Sequence, residues 1–209
     1  MTGGFAVVDR RPTLVIFARL PQAGRVKTRL ARDIGTVGAV WWYRHQLTRL
    51  LRSVGHDPRW HTVLAVAPPW ATVSPAWRSS LPRLSQGPGD LGQRMGRVFR
   101  RFPAGKVAII GSDIPGIRPA HIAEAFAMLG RADAVFGPSP DGGYWLVGLA
   151  RGRQRAPAGL FADVRWSTHH ALADTLAGLN ASRIGFAAPL SDVDTGSDLL
   201  EARLAGITQ

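Results

Sequence analysis

The sequence predicts an α/β protein with a mainly parallel sheet. Short apolar runs at 13–18, 62–67 and 106–111 alternate with longer segments that carry apolar residues at helical spacing. The run that ends at Gly111 is apolar without alternation, which is typical of a strand buried on both faces of a parallel sheet. Ser112 and Asp113 follow this run directly, and open α/β sheets bind ligands at the carboxyl ends of their strands.

The remaining elements follow in chain order. Further strands are predicted near Leu84 and at 134–136, 144–149 and 184–187, with the one at 144–149 antiparallel to its neighbours. Helices are predicted at 37–54, 91–102, 119–129, 166–179 and 195–204. Ser167 is the expected N-cap of the fourth helix, and Thr195 with Asp198 predicts a capping box. We expect a flexible leader at 1–12 and a single domain at 13–209, because domains usually span ~50–250 residues.

Composition restricts the classes of function. The 209 residues include no cysteine, which excludes disulfides and thiolate metal sites. No apolar run approaches the ~20 residues of a membrane span, and the apolar start at 5–8 is too short for a signal peptide. We therefore expect a cytoplasmic protein without a membrane partner.

The net charge of +12 is compatible with a polyanionic partner. However, the arginines are scattered, no run of like charge forms a tail, and aromatic residues are not interleaved with basic ones. An arginine-biased composition explains the charge equally well, since Lys27 and Lys106 are the only lysines. We do not expect nucleic acid as a partner, and a basic nucleic-acid-binding module is kept only as a remote alternative.

A cationic loop follows the first strand and contains Gly24, Arg25, Lys27 and Arg29. A glycine turn, three cations and a helix N-terminus together favour an anion site, with N–H donors directed at phosphate. The spacing of glycine and lysine is not that of a P-loop. A solvent-exposed basic helix face explains the loop less well, because cations there oppose the helix dipole.

Three aspartates are candidates for binding a ligand. Asp113 follows the strand at 106–111, where it would meet a metal or a substrate hydroxyl. Asp192 and Asp194 point to the same side if the chain is extended, so their carboxylates could converge on one cation. Carboxylates that close together favour a cation, and ligands that are all oxygen suit Mg²⁺ or Mn²⁺. The alternatives are a turn-capping role for Asp113 and a helix-capping role for one of the other two.

A second acidic loop contains Asp141, Gly142 and Gly143. The glycines would let the backbone approach a ligand closely, although a tight hairpin turn explains the same residues. Trp166 adjoins the predicted N-cap near this edge of the sheet. No histidine pair has metal-ligand spacing, and no serine has the context of a hydrolase nucleophile.

Taken together, these segments resemble the nucleotide-diphospho-sugar transferase (GT-A) superfamily. More narrowly, they resemble the bacterial glycosyltransferase-like family related to the phospholactate guanylyltransferases. The resemblance covers about residues 13–200 in the expected order, and it rests on the segments 17–19, 24–30, 86–95, 111–115, 140–144, 166–168 and 192–195.

The resemblance implies a three-layer α/β/α sandwich with a nucleotide bound over the N-terminal half of the sheet. It implies a metal on Asp113 and Asp194, with Asp192 beside them, and Lys27, Asp113 and Asp141 as candidate catalytic residues. The phosphates and the nucleotide would be bound by Gly24, Arg25, Lys27, Arg29, Gln86, Gly87, Asp90 and Arg94. The acceptor would be bordered by Asp141, Gly142, Gly143 and Trp166.

The expected function is metal-dependent transfer of a glycosyl group from a nucleotide-activated donor to a small acceptor. The alternative is nucleotidyl transfer from a nucleoside triphosphate, as in a guanylyltransferase. Many glycosyltransferases of this fold carry Asp-x-Asp, whereas residues 112–115 supply one acid, which is closer to the nucleotidyltransferase arrangement. The tryptophan-containing segment 68–77 is a candidate homodimer interface.

Overall fold

A computed structural model describes residues 11–77, 79–102, 104–151, 159–179 and 183–208. Residues 1–10 of the predicted leader therefore lie outside the described residues. The strands are β1 (Thr13–Arg19), β2 (His61–Ala67), β3 (Arg83–Ser85), β4 (Gly105–Gly111), β5 (Ala134–Pro138), β6 (Tyr144–Arg151) and β7 (Ile184–Phe186). The helices are α1 (Leu30–Val54), α2 (Leu91–Arg101), α3 (Pro119–Met128), α4 (Ala171–Ala177) and α5 (Gly196–Leu204). In the described part of the chain, no helix combines the length and the apolar character that crossing a membrane requires.

The strands form one mainly parallel sheet in the order β3-β2-β1-β4-β6-β5-β7. Neighbouring strands from β3 to β4 are parallel, and Val15 of β1 pairs with Ile109 of β4. β6 runs antiparallel to both β4 and β5, as the sequence predicted. The carboxyl ends of β1 and β4 therefore lie side by side at one edge of the sheet.

The helices cover both faces of the sheet, which confirms the three-layer α/β/α sandwich. Leu14 and Ile16 of β1 face a core that includes buried residues of α1, α3 and α5, whereas Val15 faces the core that contains Met95 and Phe99 of α2. Successive side chains of a strand point to opposite faces, so a strand that is apolar at every position must be covered on both sides.

Two helix starts differ in how well the sequence predicted them. Thr195 caps α5 and forms the expected capping box with Asp198. The prediction of Ser167 as the N-cap of α4 is wrong, because α4 begins at Ala171 and Ser167 has a φ of +61°. An N-cap normally has extended backbone, whereas this left-handed residue belongs to a turn that the Thr168 hydroxyl closes by donating to the Arg165 carbonyl.

We predict that Gly137→Ala destabilises the sheet by about 1–3 kcal/mol, because a methyl group there would overlap the buried indole of Trp145. Gly38→Ala in α1 is the matched control, because its added methyl would meet only Ile34 at ordinary contact distance. Urea unfolding of both variants measures the difference. Equal unfolding free energies for the two variants would contradict the packing described here.

Candidate functional site

The carboxyl ends of the strands open into a cleft of about 800 Å³. Residues from every predicted cluster line it, namely Arg25, Lys27, Arg29, Gln86, Arg94, Asp113, Asp141, Gly143, Trp166, Asp192 and Asp194. The other predicted residues, Gly24, Gly87, Asp90 and Gly142, belong to the same loops but do not line the cleft. The structure thus brings together segments that are far apart in the sequence.

The centre of the cleft is a lysine held between carboxylates. The Lys27 Nζ atom lies 2.6 Å from Asp113 Oδ2 and 2.7 Å from Asp194 Oδ1, and 4.0 Å from Asp192 Oδ2. The Lys27 side chain is only 6% exposed. Arg29 lies further out, where its guanidinium contacts Asp194 Oδ2 at 3.1 Å. The aspartates therefore converge as the sequence predicted, and around a side-chain cation.

The loop backbone is bent to place Lys27 there. Lys27 has a φ of +48°, a left-handed conformation that is uncommon for residues other than glycine. Val26 beside it is buried in the core, and the Lys27 carbonyl accepts from Ala31 N as α1 begins. The anchored neighbour and the start of the helix hold this conformation, which directs the lysine side chain into the cleft instead of to solvent.

Burial and the neighbouring charges have opposite effects on the pKa of Lys27. Desolvation alone would lower the pKa of Lys27, but the charges of Asp113 and Asp194 outweigh it and hold this pKa above its ordinary value. The carboxyl group of Asp192 has no contact as close, and burial raises its pKa to about 6, against the opposing effect of Lys27. The ionised carboxylate of Asp192 is therefore destabilised by its surroundings in the folded protein.

The three aspartates fit a divalent cation. Each offers one carboxylate oxygen, and these oxygens all lie within 4.8 Å of one another. An all-oxygen donor set of this kind suits Mg²⁺ or Mn²⁺. The carboxylates are packed closely enough to require positive charge among them, and the Lys27 ammonium supplies that charge in this structure.

Internal hydrogen bonds hold the loop at 86–94, which the sequence resemblance predicts to border the nucleotide. Gln86 is buried, and its amide nitrogen donates to the carbonyls of Ala18 and Ala65 at the ends of β1 and β2. Arg97, which the sequence did not single out, donates to the carbonyls of Gln86 and Pro88. Asp90 is the N-cap of α2, in a capping box with Gln93. This wall of the cleft is therefore held by internal hydrogen bonds.

The opposite wall contains Asp141 and Trp166. Asp141 Oδ1 accepts from Gly143 N, so the turn suggested by the sequence is present and its carboxylate also lines the cleft. Gly142 has a φ of +82°, and any side chain there would overlap the His169 backbone. Trp166 packs against Tyr144 and lies close to Gly92 of α2, so this wall is connected to the loop at 86–94.

The sequence missed a polar contact beneath the cluster. Tyr43 fits the apolar face of α1, but its hydroxyl lies 2.9 Å from the Oγ atom of Ser112, the residue before Asp113. Burial raises the pKa of Tyr43, so the hydroxyl stays protonated. A tyrosine at a core position of a helix gives no local sign of such a contact, and only the tertiary packing reveals it.

The family comparison agrees with this arrangement of fold and cleft. Residues 50–168 match the bacterial protein family described as uncharacterized and conserved in bacteria, DUF2064. The chain belongs to the DUF2064 family. No curated protein matches the sequence.

Solved structures extend the comparison of this DUF2064 protein. A Desulfovibrio desulfuricans G20 protein, provisionally named a nucleotide-diphospho-sugar transferase, superposes with a TM-score of 0.82 at 25% identity and covers 90% of this chain and 84% of its own. The 4-diphosphocytidyl-2C-methyl-D-erythritol synthase of Anaerococcus prevotii DSM 20548 has a TM-score of 0.61 at 10% identity, covering 94% of this chain and 98% of its own.

A third structure is glucosyl-3-phosphoglycerate synthase of Mycobacterium tuberculosis, in complex with Mn²⁺, UDP and glucosyl-3-phosphoglycerate. It has a TM-score of 0.55 at 12% identity and covers 95% of this chain and 77% of its own. The likenesses confirm the nucleotide-diphospho-sugar transferase fold that the sequence resemblance implied. The structural neighbours of this DUF2064 protein include both glycosyltransferases and nucleotidyltransferases.

We predict that Asp192→Asn raises the melting temperature at pH 7.5 in the absence of metal. Because the pKa of Asp192 is higher in the folded state, its ionisation above pH 6 costs folding free energy, and asparagine removes that cost. The advantage should be full above about pH 6 and should shrink as the pH falls from 6 towards the ordinary aspartate pKa of 3.8, below which the carboxyl is protonated in the unfolded state as well. Calorimetry across this pH range measures the difference in melting temperature between Asp192→Asn and the wild type. A difference that does not change with pH would contradict the raised pKa of Asp192 in the folded protein.

Proposed function

We propose that this protein is a metal-dependent transferase that moves a glycosyl group from a nucleotide-diphospho-sugar to a small acceptor. The observation that carries the proposal is the convergence of Asp113, Asp192 and Asp194 beside the cationic loop, at the carboxyl ends of the strands. A carboxylate cluster beside the cations Arg25, Lys27 and Arg29 matches the needs of a donor whose diphosphate must be bound and neutralised.

Asp113, Asp192 and Asp194 would hold the divalent ion. When bound, the ion supplies positive charge that neutralises the donor diphosphate. The chain supplies further cations, since Arg25, Lys27 and Arg29 line the same part of the cleft and would donate to phosphate oxygens. Their charges would stabilise the nucleoside diphosphate as the bond between the sugar C1 and its phosphate breaks.

The acceptor would bind on the opposite wall. Asp141 lines the cleft, and one of its carboxylate oxygens accepts from Gly143 N within its own turn. It would bind the attacking hydroxyl of the acceptor and take its proton as the new glycosidic bond forms. Trp166 and Gly143 would border the acceptor, with the indole as an apolar surface.

A specific observation favours a second candidate, nucleotidyl transfer. The loop at 24–29 presents three cations to one cleft, which is more positive charge than a diphosphate alone requires. Only Asp113 comes from the loop after β4, without the second acid of an Asp-x-Asp motif. In that reaction an acceptor phosphate would attack the α-phosphorus of a nucleoside triphosphate, and pyrophosphate would leave.

Thermal unfolding with ligands tests the proposal. We predict that Mn²⁺ together with a nucleotide-diphospho-sugar raises the melting temperature of the wild type and that Asp113→Ala abolishes the shift, because a ligand that binds only the folded state stabilises it. Asp133→Ala is the matched control, since Asp133 pairs with the exposed Arg183 and does not line the cleft.

The other outcomes separate the alternatives. A metal-dependent shift confined to nucleoside triphosphates, accompanied by pyrophosphate release, would replace glycosyl transfer with nucleotidyl transfer. The absence of any nucleotide shift, together with tight and salt-sensitive DNA binding that Asp113→Ala leaves unchanged, would contradict the enzyme and support the nucleic-acid-binding alternative.

A further inference from the structure

We propose that Tyr43 and Gln46 of α1 are positioning residues that hold the loop after β4 and so set the position of the Asp113 carboxylate. The inference rests on the proposed function in one respect, namely that Asp113 binds a divalent ion. It concerns two buried side chains whose hydrogen bonds reach the residues on either side of Asp113.

Tyr43 ties together the ends of two strands. Its side chain is buried, with 3% of the residue exposed. The hydroxyl accepts from the backbone N–H of Arg19 at 3.0 Å and lies 2.9 Å from Ser112 Oγ and 3.2 Å from the Arg19 carbonyl oxygen. Arg19 ends β1 and Ser112 follows β4, so a single hydroxyl connects the origins of the two loops that carry Lys27 and Asp113.

Gln46 holds the other side of Asp113. It is 4% exposed, and its amide nitrogen donates to the Ile114 carbonyl at 3.1 Å. Residues three apart on a helix lie next to each other on one face, so Tyr43 and Gln46 act on the loop from the same face of α1. Ser112 and Ile114 are thereby both bonded to this helix, one on each side of Asp113.

The charges around Asp113 make such support necessary. Its carboxylate is attracted by Lys27 and repelled by Asp192 and Asp194 within the same cluster. A loop without support would relieve the repulsion by moving outward. Metal ligands are commonly oriented by hydrogen-bonded neighbours, and loss of such a neighbour typically weakens metal binding about 10- to 100-fold.

Burial alone does not explain these residues. A phenylalanine would fill the volume of Tyr43 and a methionine that of Gln46, without burying a polar group that must find a partner. Among the described residues, the hydrogen bonds of the Tyr43 hydroxyl go to the two strand ends of the site, and the Gln46 amide nitrogen donates to the same loop. The polar atoms are therefore placed where they constrain Asp113.

Two variants test the inference, with two measurements on each. Tyr43→Phe and Gln46→Met should lower the NMR order parameter of the Asp113 amide in the metal-free protein from about 0.85 to below about 0.6. Both should also weaken Mn²⁺ binding, measured by electron paramagnetic resonance, by about tenfold or more. Thr62→Val is the control, because it removes a buried hydroxyl that donates to Val54, away from the cleft, and should change neither value.

An unchanged order parameter in folded Tyr43→Phe and Gln46→Met would overturn the inference. If the two variants had a lowered order parameter but bound Mn²⁺ as tightly as the wild type, the role of Tyr43 and Gln46 in the metal site would be overturned. If the wild type itself bound no Mn²⁺, the metal-dependent function would fail, whereas the order parameters would still decide whether α1 holds the loop.

Discussion

The buried ammonium group of Lys27 lies between the carboxylates of Asp113, from the middle of the chain, and Asp194, from its C-terminal part. Carboxylates this close together are unfavourable in a half-buried site unless positive charge lies among them. Lys27 supplies that charge from a loop whose left-handed backbone directs the side chain inward. The pairing ties the loop after β1 to the loop after β4 and to the segment before α5, and the shape of the cleft depends on it.

The strand order of the sheet places these groups next to each other. β1 and β4 are parallel neighbours, so their loops leave from the same edge, and α1 and α2 begin at loops that border the cleft. The two walls differ in chemistry: one carries cations and a loop fixed by Arg97, and the other carries Asp141 and Trp166. An anionic donor and a small acceptor held on opposite walls would meet over the aspartates.

Much of this could be predicted from the sequence, because strand periodicity and strand-end chemistry are local signals. Apolar runs located the strands, and the rule that sites form at strand ends singled out Asp113. The joining of Asp113 with Asp194 and Asp192 in one cluster was implied by the family resemblance. The partnership of Lys27 with these carboxylates depends on backbone conformation and tertiary packing, which the motif does not indicate. The same holds for the hydroxyl of Tyr43 and for the turn that displaced the predicted cap at Ser167.

Anomalous X-ray scattering from Mn²⁺ in crystals soaked with manganese and a nucleotide would show directly whether the aspartates bind a metal. We expect one strong manganese peak in contact with Asp113, Asp192 and Asp194, with the Lys27 ammonium moved away from Asp113 and Asp194. A peak elsewhere, or Lys27 still held between the two carboxylates at saturating Mn²⁺, would show that the cluster is a structural ion pair and not a metal site.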